Sequence, residues 1–454
     1  MVEAAEKIER SATEKHGLND LKTDVLSLFQ EGRNFQNSQN HSRQDSLPGL
    51  QLVNESAVKP GRESVPTDHS PTKKHESGSE KAESPVKFSM GSTPEREHLL
   101  QSIKNSHDMT DKQKASMVKD IAVFEGRAYR DGVGRQEVLD LYKNTSRLLD
   151  ATGQHPVSQK DRTVLAEQVI RNSAHPMAVD QGQHGTCNVT TIEARMYFKY
   201  PSKAGQLVAD VALDGEFKTA SNHKVLMDKA SLQPDSESQN NPPKPGERGY
   251  ASQIFQMTAA NIEWQSKRFN PNGDHVHPGT LRYVQVPPVK GDKNDTGERV
   301  RDFSKNPEGE TIKDTNGEKI LDPGLYAYTY ERISNEISGK KDTGFVLQRD
   351  TEHDGIVNVK SEAQLGELFK SAGNKMPMII VVHTENEPFY TDSGEKKAGG
   401  SGGWHVINVT AYNPRTKEVT MSNQWGPESD HPISLKKLYD AMVEPPKKAS
   451  PAHK

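Results

Sequence analysis

The chain has 454 residues, 59 basic and 63 acidic side chains, a net charge of −4, and only 31% hydrophobic residues at a mean hydropathy of −0.86. So even a charge balance supplies no field for nucleic acid or an anionic membrane, and no run of about 18 apolar residues is present to span a bilayer. A single cysteine, Cys187, excludes an intramolecular disulfide. The N-terminus lacks the apolar core of a signal peptide, so the expected location is cytoplasmic, with signal-less export left open.

Residues 1–92 read as a disordered polar tail, with one amphipathic piece from Leu18 to Phe29. Pro60, Pro66 and Pro71 stand among charges there, and the few apolar residues cannot offset the entropy of an ordered chain. Order is expected to begin at Thr93-Pro94-Glu95, where a capping threonine, a first-position proline and an acid suit a helix start. Thr110-x-x-Gln113 has the spacing of a capping box. A third helical pattern runs through Val138, Leu141, Tyr142, Leu148 and Leu149. Residues 93–152 therefore read as a small helical module, either an extension packed on the main domain or a pro-region.

The main domain is assigned to residues 153–446, with a short disordered tail at 447–454. Helices are expected from Gln159 to Asn172, from Cys187 onward, and from Tyr250 to Trp264. Between the last two, Gln233 to Gly249 is rich in Pro, Ser, Asn and Gln and reads as a loop. Strand patterns then take over: Thr280–Val286, a hairpin turn at Asn316-Gly317, and the alternating Leu325-Tyr326-Ala327-Tyr328-Thr329-Tyr330. After a helix from Glu362 to Ala372 come strands at Pro377–His383, Val406–Tyr412 and Glu418–Ser422. Helices first and a largely antiparallel sheet second is the α+β order.

Chemistry concentrates at two places. Gln181-Gly182-Gln183-His184-Gly185-Thr186-Cys187 is a glycine-punctuated loop feeding a helix whose apolar positions are Val189, Ile192 and Met196. A thiol at a helix N-terminus feels the positive end of the dipole, which favours the nucleophilic thiolate. Far downstream, His405 opens a strand after a glycine-rich loop, and Asn423-Gln424-Trp425-Gly426 closes the next strand. Adjacent antiparallel strands set His405 beside Asn423, whose amide is suited to fix the imidazole's orientation.

These two blocks resemble the papain-like cysteine peptidases. Gln181 and Cys187 match the spacing of that family's oxyanion glutamine and nucleophile. His405-Val406-Ile407 resembles its histidine strand, and Asn423-Gln424-Trp425-Gly426 its Asn-Ser-Trp-Gly or calpain-type Asn-Pro-Trp-Gly signature. The segment Pro432–Met442 also looks calpain-like. The resemblance implies a two-lobed fold with a cleft, a polypeptide substrate and no cofactor. Cys187 is then the nucleophile, as a thiolate beside protonated His405. Asn423 is the orienter, Gln181 an oxyanion donor and Trp425 a cover over the His–Asn bond. Gly182 and Gly185 let the backbone bend toward substrate.

The chain departs from the family in two ways. Asn188 stands where an aromatic residue usually follows the cysteine, and the interval from Cys187 to His405 exceeds the roughly 130–150 residues of the papain type. The alternatives are a transglutaminase-like acyltransferase and a catalytically inactive papain-fold binding module. Gln183 and His184 lie near the nucleophile and are expected to line the cleft, with no chemical role assigned to either. No metal is implied: His275 and His277 have no further ligand cluster, and the calcium-like run from Asp292 ends on Phe303 where an acid is required. Oligomeric state is not readable from the sequence.

Overall fold

The structure, a computed structural model, describes residues 91–290, 295–314, 317, 319–389, 403–425 and 430–444. The polar tail before residue 91, with its Leu18–Phe29 piece, lies outside the described residues. So do the end of the chain, Asn316 of the hairpin turn, Gly426, and Asp292–Asn294 of the calcium-like run.

Three capped helices come first. Thr93 accepts from the Arg96 backbone N–H (3.3 Å) at the start of α1 (Pro94–Asn105). Thr110 and Gln113 form the reciprocal capping box of α2 (Asp111–Arg130). Along α3 (Arg135–Asp150), Val138, Leu141, Tyr142, Leu148 and Leu149 are buried at helical spacing. α1 packs on α3, α2 on α4 (Gln159–Ala174), and α3 on both α4 and α6 (Pro201–Asp214). Their apolar side chains belong to one hydrophobic cluster with Leu165, Val169 and Leu207. Gly205 of α6 permits the approach, since a Cβ there would lie 2.8 Å from the Leu141 Cδ1.

α5 (Cys187–Lys199) runs through the middle of this cluster, packed against α6, α7 (Tyr250–Trp264) and α8 (Tyr330–Ser338). The tyrosine-rich segment expected as a strand is instead a short 3-10 turn, Ala327–Thr329, leading into α8. Burial explains the difference. Leu325, Thr329, Tyr330, Ile333 and Ile337 are buried while Tyr328 is exposed, which is helical rather than two-residue periodicity.

The strands β1 (Glu216–Lys218) and β2 (Lys224–Leu226) form an antiparallel pair. The strands β3 (Leu281–Gln285), β4 (Glu298–Asp302) and β5 (Glu310–Thr311) form a small antiparallel sheet. The main sheet contains β6 (Val346–Arg349), β7 (Val357–Val359), β8 (Met378–His383), β9 (Trp404–Asn413), β10 (Glu418–Ser422) and β11 (Ile433–Ser434). Its order is β11-β10-β9-β8-β6-β7. The β8, β9, β10 and β11 pairings are antiparallel, but β6 runs parallel to both β7 and β8. The sheet is therefore mixed. The parallel pairing of β6 with β8 spans a connection that holds α9 (Glu362–Ser371), as a crossover requires.

This sheet separates two cores. Ile379, Val381 and Val406 face the helical cluster; Ile380, Val382, Ile407 and Val409 face a second one built with α9 and α10 (Leu435–Ala441). Apolar side chains on both faces account for the unbroken apolar run of β8. The molecule is a mixed α+β protein with a helical part and sheets. Among the described residues no helix is long and apolar enough to cross a membrane.

Candidate active site

The start of α5 lies against β9. Asn408 Nδ2 donates to the Thr191 carbonyl (3.0 Å), and Thr191 Oγ1 donates to Gln424 Oε1 (3.0 Å). The Gln181 backbone N–H donates to the Gln424 carbonyl (3.3 Å). Gln424, fully buried, thus ties the nucleophile loop to the segment carrying Asn423 and Trp425.

His405 and Asn423 meet as their strand register predicts: β9 and β10 pair Asn408 with Ser422, one residue before Asn423. His405 Nε2 lies 2.8 Å from Asn423 Oδ1, in a buried environment. An amide oxygen accepts, so the network assigns the proton to Nε2 and the lone pair to Nδ1. The Trp425 ring stacks on the imidazole at 4.3 Å between centroids and 18° between planes. The Asn423 backbone N–H donates to Asp430 Oδ1 (2.6 Å), which fixes the orienting residue in turn.

Cys187 is half-buried at the first position of α5, packed against the hydrophobic cluster to which Val406, the residue after His405, also belongs. Val406 points to the helical core on which Cys187 packs, whereas His405, one strand residue earlier, stacks on Trp425, which packs on the second core. Burial pushes the thiol up to about 12; the Asp322 carboxylate adds to this, and the Asn188 and Val406 amides oppose it. Burial pushes His405 down to about 4 against the Asn423 bond. Both groups are neutral near pH 7, not the thiolate–imidazolium pair expected from the helix N-terminus. The dipole is worth at most about 2 kcal/mol, less than the several kcal/mol of taking an ion out of water.

Gln181 is fully buried, and its Nε2 donates to the His184 carbonyl (2.9 Å). Gly182 takes a left-handed φ of +65°, and a Cβ there would collide with the Glu237 carboxylate and the Arg248 backbone nitrogen. Glycine is required at 182 by this close approach to the 233–249 loop. Gly185 is half-buried. His184 does not line a cleft: it is 3% exposed, held among the charges of Asp235, Glu298 and Arg248. Gln183 is exposed.

Several supporting residues carry no local signal in the sequence. Thr186 Oγ1 donates to Gln256 Oε1 (2.8 Å), and Gln256 Nε2 donates to Glu193 Oε2 (2.9 Å) and to the Asp180 carbonyl (3.4 Å). Gln256 thereby grips both ends of the nucleophile loop from α7. Its partner Glu193 is pushed up to about 7 by burial, against hydrogen bonds from Gln256 and Ser252. His275 and His277 make an edge-to-face ring contact at 5.9 Å. Among the described residues one group of side chains of a type able to bind a metal converges, His184, Asp235 and Glu298, and the Arg248 guanidinium lies between the two carboxylates at 2.6 and 2.7 Å. A protein cation already answers their charge.

No protein-family model matches the chain, and neither a curated protein nor a solved structure does.

Proposed function

We propose that the chain is a papain-like cysteine peptidase acting on a polypeptide through a Cys187 thioester. The observation that carries this reading is the His405 Nε2–Asn423 Oδ1 bond at 2.8 Å beneath Trp425, on the strand whose next residue, Val406, shares the cluster against which Cys187 packs. A buried imidazole with Nε2 committed to an amide presents Nδ1 as its base.

The resting electrostatics favour general-base attack over a preformed ion pair. His405 Nδ1 takes the thiol proton as sulfur bonds to the peptide carbonyl. The Cys187 backbone N–H and the Gln181 side chain stabilise the oxyanion. The Gln181 amide also donates to the His184 carbonyl, which fixes it in the loop. Collapse expels the amine, which leaves with the proton from His405. Water, deprotonated by His405, then cleaves the thioester and releases the carboxylic acid.

The raised thiol also favours a second reading, in which the fold binds peptides without cleaving them. A peptidyl chloromethyl ketone separates the two. The peptidase reading predicts one covalent adduct at Cys187, formed faster than with a free thiol and slowed by about 10²-fold or more in His405→Ala, the scale of general-base catalysis. Labelling at the free-thiol rate, indifferent to His405→Ala and Asn423→Ala, contradicts it.

A further inference from the structure

Beneath the nucleophile loop lie four buried charges from three distant parts of the chain. His184 is in the loop itself, Asp235 and Arg248 come from the 233–249 loop, and Glu298 comes from β4. His184 Nε2 is 3.2 Å from Asp235 Oδ2, and its Nδ1 is 3.2 Å from Glu298 Oε2. Arg248 Nη2 closes the ring on both acids at 2.6 and 2.7 Å. Two cations and two anions leave no net charge.

The same loop–loop contact continues along the backbone. The Gln183 N–H donates to Glu237 Oε1 (3.0 Å), and the Arg248 N–H to Glu237 Oε2 (3.0 Å). The Gly182 N–H donates to Asp180 Oδ1 (2.8 Å), and the His184 carbonyl receives Gln181 Nε2. Burying four charges is weak support for stability, because apolar side chains of similar volume often serve as well or better. Such a cluster earns a functional explanation when it specifies one conformation, and this one is attached directly to Gln181 and lies three residues from Cys187.

We propose that His184 is a positioning residue, and that its clamp with Asp235, Glu298 and Arg248 holds the Gln181–Cys187 loop in the geometry the acyl transfer requires. The activity part of this proposal rests on the peptidase reading. The charge state fits. Burial and Arg248 push His184 down, but Glu298 and Asp235 outweigh them and raise it to about 9. Glu298, raised by burial, is brought down to about 2 by Arg248 and His184. The other titratable groups around the clamp are Glu237, Tyr283, whose hydroxyl donates to Glu298 (2.7 Å), and Glu193, which acts on Arg248. A histidine raised in the folded state stabilises it fully below its unfolded value near 6.5. That contribution is lost as pH rises through about 9.

The test uses the full chain. Between pH 7 and 10.5 the wild type should lose kcat around pH 9 at constant KM, with its near-ultraviolet circular dichroism unchanged. The Cys187 thiol, near 12, does not supply that limb. His184→Gln should lower kcat by about 10–100-fold, the scale of a misplaced catalytic group, hold KM within about twofold, and erase the limb. Wild-type kcat with the limb intact in His184→Gln overturns the proposal. Should that variant not fold, or should the wild type hydrolyse nothing, hydrogen exchange decides. Amides of 181–187 should lose protection above pH 9, and in Glu298→Gln, while α6 amides do not. Unchanged loop protection in both overturns the clamp, whereas lost protection without hydrolysis removes only the peptidase reading.

Discussion

Cys187 has the helix N-terminus that favours a thiolate and the burial that opposes it, and burial wins. The consequence is a pH profile set by His405. The proposed general-base role requires it neutral, and it is neutral above about 4. The acid limb of kcat/KM is therefore expected near pH 4, well below the 6.5 of an ordinary histidine, and Asn423→Ala should move it lower still, because the Asn423 bond supports the protonated form. A limb that stays near 6.5 contradicts the buried imidazole. The meeting of His405 with Asn423 and Trp425 was legible, because residue type and strand spacing set it; the catalytic roles of Gln181, Cys187, His405 and Asn423 are the proposal. The burial of His184 was not legible. Its partners are Asp235 and Glu298, and no local pattern announces an ion pair closed across 50 to 115 residues. Gln424 was quoted only as part of a signature, while its bond with Thr191 joins residues 233 apart.

At the scale of elements, capping residues and apolar spacing placed the starts of α1, α2, α4, α7 and α9 to within a residue or two, whereas α6, which has no side-chain cap, was not read from the sequence. The error at Leu325–Tyr330 came from alternating tyrosines that mimic a strand, when the packing of Tyr330, Ile333 and Ile337 decides the conformation. The parallel strands β6 and β7 were not read from the sequence, because they are only four and three residues long and include polar, partly exposed positions. α5 carries its own prediction. Glu193, fully buried, titrates near 7 against 4.5 when exposed. Between those values the folded state holds a proton that the unfolded state has released, so stability falls as pH rises. Glu193→Gln should gain roughly 2–3 kcal/mol at pH 8, at about 1.4 kcal/mol per pH unit, and little at pH 4. Urea denaturation at the two pH values measures it; an equal effect at both contradicts the raised carboxyl.

Across the whole molecule, α1, α2 and α3 share one apolar cluster with α4, α6 and the nucleophile helix. Leu99, Phe124 and Leu141 are fully buried in it. Deleting residues 93–152 should therefore expose the Leu165, Val169 and Leu207 surface and abolish cooperative unfolding. A soluble, more active product would instead identify the segment as a removable pro-region. The α+β order was readable because helical and strand patterns are segregated along the chain. The division of the sheet between two cores depends on which alternate residues meet which helices, and so became visible only in three dimensions. Whether Cys187, served by His405 as proposed, cleaves peptide bonds is read most plainly from a peptide-library digest analysed by mass spectrometry for new amino termini. New termini are expected with the wild type and none with Cys187→Ala; no new termini with the wild type, or termini that persist in Cys187→Ala, would contradict the peptidase reading.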